Sequence, residues 1–190
     1  MRVIIAAIVG GIIVFVWSAV AHIVTPLGKM GLSTMADDSM LEQFKSLPSS
    51  GMYFFPRMDM TRKPTAEEQK AYVEKVRSGP SGLLILTKSG GESMSPRQLG
   101  TELASNVIAA LIAAILVSFM IGSWLKRAVA VALMGVFGVT SLVVSYWIWF
   151  GFPAQYVTAE LITETVGWLL AGLAIAKIVR PPFGAIVPAR

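Results

Sequence analysis

Four apolar runs, residues 3–24, 103–125, 128–150 and 159–179, constrain this chain more than any other feature. At a rise of 1.5 Å per residue, a helix of about 20 residues crosses a hydrocarbon core of about 30 Å, and each run is that long. Unpaired backbone groups are too costly in lipid for an open strand, and none of the runs alternates between apolar and polar residues. The sequence therefore predicts an all-α integral membrane protein, a four-transmembrane-helix bundle with a small α+β extramembrane cap between helices 1 and 2. Residues 1–24 form the first helix, 25–101 the cap, 102–180 the other three helices and 181–190 a tail.

Composition agrees where it bears on this expectation. Charged residues make up 14% of the chain, well below the roughly 25% of soluble domains. The absence of cysteine excludes a disulfide framework, a thiolate zinc site and a cysteine nucleophile. A net charge of +5 could suggest nucleic acid. However, residues 25–101 hold 10 of the 16 basic and 8 of the 11 acidic residues, so the polar segment is nearly balanced and no basic face for nucleic acid is expected.

Basic residues near the spans predict orientation. Arg2 precedes the first span, Lys126 and Arg127 form the link between the second and third, and Lys177, Arg180 and Arg190 follow the fourth, whereas the link 151–158 is uncharged. Both termini are thus expected on the cytoplasmic side of the inner (plasma) membrane, with residues 25–101 periplasmic or extracellular. Ala19-Val20-Ala21 has the small-x-small form of a signal-peptidase site, but the apolar run before it is longer than the usual signal core, which favours an uncleaved anchor.

Within the cap, Asp37 and Asp38 before Met40, Leu41 and Phe44 predict a short capped helix. Thr65 and Glu68 form a capping box that opens a second helix, ending near Arg77 before Ser78-Gly79-Pro80. The runs 52–55 and 83–86 are strand candidates that a helix would have to cover. Ser95 and Gln98, with Pro96 at the first helical position, set the start of the second long helix. Small residues at four-residue spacing, Ala6/Gly10, Ala7/Gly11, Ala109/Ala113, Ala110/Ala114 and Gly172/Ala176, predict close helix contacts inside the bundle or with another subunit.

Ionisable residues in spans are expensive and hence functional candidates. His22 ends helix one, Glu102 and Asn106 start helix two, Ser145 and Tyr146 end helix three, and Glu160 and Glu164 start helix four. The predicted topology brings all seven to one end. His22 with Glu102, Glu160 and Glu164 has ligand types suited to a divalent metal, and a lone His22 could be an axial ligand of a tetrapyrrole. A Glu164 kept protonated by burial could serve ion or proton movement, although the middles of the spans hold no proline and no paired repeat. The alternative is that these groups hydrogen-bond the bundle at the water boundary. Seven of the ten methionines lie in residues 25–101, and Met58 and Met60 could hold Cu(I), although methionine also fills irregular interfaces.

One histidine and no nucleophile motif leave no expectation of catalysis. The sequence is read as a non-enzymatic accessory subunit of a larger inner-membrane complex, electron-transfer or photosynthetic machinery being the kind of host expected. Its partners would be the lipid bilayer and other membrane subunits. A stand-alone metal- or tetrapyrrole-binding protein using His22 is the alternative, and a small ion or proton transporter the next. No particular cofactor is identified.

Overall fold

A computed structural model describes residues 1–59, 61–88, 90 and 94–182. Four helices in it are long and apolar enough to cross a membrane, and a two-stranded sheet is present. Two compact units divide the chain. One contains residues 1–33, 93–148 and 152–190, and the other residues 34–92 with 149–151.

In the first unit, α1 (Arg2–Ile23) packs along α4 (Pro96–Phe119) and α7 (Ala154–Ile178), and α7 packs along α5 (Trp124–Gly138). The neighbours run antiparallel: Gly10 meets both Ala110 and Ile175, Trp17 meets Gly167, and Gly172 meets Ala128. The small residues are used inside the bundle. Ala6, Ala7, Gly10, Gly11, Ala110, Ala113, Ala114, Gly172 and Ala176 are all buried. A Cβ on Gly11 would stand 2.6 Å from the Cα of Val107, so only glycine lets the backbones of α1 and α4 approach this closely. The larger side chains, Ile8, Ile12, Val16, Ile108, Ile112 and Leu116 among them, face outward.

The capping box at Ser95 and Gln98 is formed, with Pro96 at the first helical position. The end of that helix corrects the expectation. α4 stops at Phe119 instead of Leu125, and residues 120–123 make the link that was assigned to Lys126 and Arg127. Gly122 has a φ of +145°, which breaks the helix at little cost only in glycine, and the Ser123 hydroxyl then accepts the Lys126 N–H to start α5. Arg127 is therefore helical and 4% exposed. Its guanidinium donates to the carbonyls of Ala176 (2.7 Å) and Val179 (2.8 Å), satisfying the carbonyls at the end of α7 where the helix dipole favours a cation. The start of α7 at Ala154 is likewise earlier than residue 159, because Pro153 ends the preceding link. The third long apolar helix is interrupted by a π-turn, Val139–Val143, before α6 (Val144–Phe150).

In the second unit, β1 (Gly51–Phe55) and β2 (Gly82–Leu86) pair antiparallel, with Met52 opposite Ile85 and Phe54 opposite Leu83. The Lys88 N–H donates to Ser50 Oγ beyond the end of the pair. α3 (Ala66–Ser78) begins with the predicted capping box of Thr65 and Glu68. Its Tyr72 borders a cleft with Met52, Tyr53 and Phe54 of β1, while Val73 and Val76 are exposed. α2 (Leu41–Lys45) starts after Met40 without a side-chain cap. Asp37 instead accepts the Ser39 N–H in a local turn, which puts the expected cap one turn too early.

Candidate functional site

The antiparallel order gathers the sequence candidates at one end of the helical unit. Three of the four helices contribute a carboxylate or an imidazole there, and α6 contributes Ser145 and Tyr146. His22, exposed in the last turn of α1, has its Nδ1 2.9 Å from the Ser18 carbonyl. A carbonyl only accepts, so Nδ1 carries the proton and Nε2 is left without a partner among the described residues. The chain then folds back under this turn: Thr25 donates to the Ala21 carbonyl, and Gly28 lies against the His22 carbonyl so closely that a Cβ would collide with it.

On α4, Glu102 accepts from Asn106 Nδ2 at 3.2 Å, the i,i+4 pairing expected from the spacing. On α7, Glu164 accepts from Trp168 Nε1 at 2.8 Å, and Glu160 stands one turn after Tyr156. The four proposed ligands lie at one end of the unit, yet among the described residues no three His, Asp or Glu side chains gather to hold a metal ion. No Lys, Arg or His forms an ion pair with any of these carboxylates among the described residues.

Tyr146 stacks at 5.3 Å on Phe152, which in turn meets Tyr156 edge-on at 5.4 Å. That chain of rings continues the end of the bundle up to Glu160. Ser145 is half-buried on α6, and no hydrogen bond joins it to the carboxylates among the described residues. Met58 belongs to the other unit, where it shares a cleft with Met52, Tyr53 and Tyr72. Met60 lies outside the described residues, so the pair considered for Cu(I) is not seen together.

Sequence reasoning missed a groove. α4 and α5 barely touch, and between them an opening of about 410 Å³ is bordered by Ala109, Ile112, Met134, Val143, Glu160 and Glu164. Gly135 and Gly138 also border it, with different roles. A Cβ on Gly135 would lie 2.7 Å from the Glu164 carbonyl oxygen, whereas a Cβ on Gly138 would meet nothing within 4 Å. Gly135 thus closes α5 onto α7, and Gly138 leaves the groove open. The π-turn begins at the next residue, and such turns occur preferentially at functional sites. The Gly135/Gly138 spacing and Trp168 four residues after Glu164 were the available signals, but nothing in the sequence says which helix stands opposite them.

Fold and site together define a helical protein with four potential membrane spans and a groove, carrying carboxylates, between two of them. No family model matches the chain, and no match emerges among curated proteins or solved structures.

Proposed function

We propose that the chain is an integral membrane protein acting as a non-enzymatic accessory subunit of a larger inner-membrane complex, with both termini cytoplasmic and residues 25–101 on the opposite side. Arg2, Lys126, Lys177 and Arg180 lie at one end of the antiparallel bundle and the carboxylates at the other, which is the asymmetry the positive-inside rule uses. One observation carries the subunit reading. Glu102 and Glu164 each accept a hydrogen bond from their own helix, from Asn106 and Trp168, whereas α1 and α7 present a shallow, wholly apolar channel lined by Ile12, Ile13, Val16, Trp17, Val20 and Leu170. Small residues are used internally, so this channel is a face open to a partner helix.

Extraction in mild detergent from the native host, followed by sizing and mass spectrometry, tests the reading. The expected result is a large species with stoichiometric partners, which an Ile12→Trp variant releases while its own melting temperature is unchanged. A lone species of about 20–40 kDa, the mass of one or two copies of a chain of 20.4 kDa, would overturn it.

The alternative of metal or tetrapyrrole binding is favoured by one specific observation, the Nδ1 bond of His22 to Ser18, because ligating histidines commonly donate their other ring N–H to a carbonyl. A visible absorption band or bound metal in the purified protein that His22→Ala abolishes would establish it. Its absence in protein purified from the native host would remove it.

A further inference from the structure

The groove between α4 and α5 offers a ligand a particular chemistry. It is apolar inward of Glu164, along Ile112 and Met134, and the Glu160 and Glu164 carboxylates border it further out. The Trp168 N–H beside it is already given to Glu164, so the polar atoms presented there are carboxylate oxygens, which accept hydrogen bonds when ionised. Carboxylates inside a span are expensive unless paired, and no Lys or Arg pairs with them among the described residues. A fitting occupant must bring a donor and a positive charge to one end and an apolar chain to the other. Its volume falls in the range of small-molecule sites.

We propose that this groove holds a bilayer phospholipid with a primary ammonium headgroup, the ammonium on Glu160 and Glu164 and one acyl chain running inward past Met134 and Ile112. Charge complementarity selects this class over anionic lipids, which the same carboxylates repel. From Glu160 to Trp168 the groove follows α7 for about 12 Å at 1.5 Å per residue, enough for the upper part of an acyl chain. Gly138, one turn outward of the Gly135 that abuts Glu164, leaves open space for the headgroup beside Glu160, which explains an open glycine in a helix that would be more stable with alanine. The inference rests on the membrane placement proposed above and is independent of the subunit role.

The test uses the full chain, purified in detergent, stripped of lipid and titrated with dioleoyl phosphatidylethanolamine or dioleoyl phosphatidylglycerol, with native mass spectrometry counting retained lipid. Because one charge-assisted hydrogen bond corresponds to about a tenfold change in affinity, the ethanolamine lipid should be retained about tenfold better. Glu160→Gln with Glu164→Gln should abolish that preference. Gly138→Leu, which fills open space and leaves the carboxylates in place, should lower retention of both lipids with helicity unchanged. Equal retention of the two lipids, a preference that survives the double glutamine variant, or a groove closed by a second copy of the chain would overturn the proposal. Failure of the chain to co-sediment with alkaline-washed membranes would instead overturn the membrane placement.

Discussion

The helical unit and the unit of residues 34–92 are held together by opposite means. In the first, the contacts are backbone against backbone: Gly11 on Val107, Gly172 on the Ala128 carbonyl and Gly135 on Glu164, with Ala110, Ala113, Val131, Ala171 and Ile175 fully buried between them. In the second, no described residue is buried. Order there is local and polar: Arg62 grips Glu68 at 2.5 and 2.9 Å, Glu68 accepts the Thr65 N–H, Asp59 accepts from Thr61, and the Tyr53 hydroxyl donates to the Ser49 carbonyl. The difference is one of range. Close packing joins residues tens of positions apart and tolerates no added volume, whereas caps and forks join residues within a few positions and answer to pH and salt.

The sharpest way to break the first kind of order is to add volume where there is none. Gly11→Leu forces α1 away from α4, and overpacking of this kind should cost about 3 kcal/mol, read as a lower melting temperature in detergent with the 34–92 unit unaffected. Arg127→Ala comes next. It leaves the Ala176 and Val179 carbonyls without their donor, and despite the relief of a buried charge a loss of about 2 kcal/mol is expected, seen as faster amide exchange in the last turn of α7.

In the second unit the expected effects are smaller and confined. Thr65→Ala removes one half of the capping box and should cost about 1 kcal/mol, detected as faster exchange in the first turn of α3 and nowhere in the long helices. The smallest effect is a titration. The bond from Arg62, aided by the Thr65 N–H, holds the Glu68 carboxyl down at about 2, against an ordinary value of 4.5. A depressed acid stabilises the folded form above its unfolded value, so this contribution is present above pH 4.5 and is lost as pH falls toward 2. α3 should therefore loosen over that interval by NMR, less steeply in high salt, and Glu68→Gln should flatten the profile. A cooperative change of the whole molecule across the same interval would erase the contrast between the units.

The sequence was most legible where structure is local. The capping boxes at Thr65/Glu68 and Ser95/Gln98, and the two strands on either side of α3, were readable because each signal lies within a few residues of its effect. It was least legible at residues 120–123, where Ile121, Trp124 and Leu125 extend the apolar run straight through a turn made by Gly122 and Ser123. In the site, the gathering of His22, Glu102, Glu160 and Glu164 followed from antiparallel order alone. The bond from Trp168 to Glu164 did not, since the four-residue spacing alone does not say whether the indole N–H turns to the carboxylate.

By itself the sequence determined the number of long helices, the capped starts at Thr65 and Ser95 and the two strand segments, because run length, capping and turn chemistry are properties of neighbouring residues. Only the tertiary structure decided that Arg127 caps α7, that α4 and α5 part to form a groove, and that Gly135 is closed while Gly138 is open. Those two glycines sit three residues apart on one helix and are chemically identical. What separates them is the element standing opposite each, a distance that no local pattern contains.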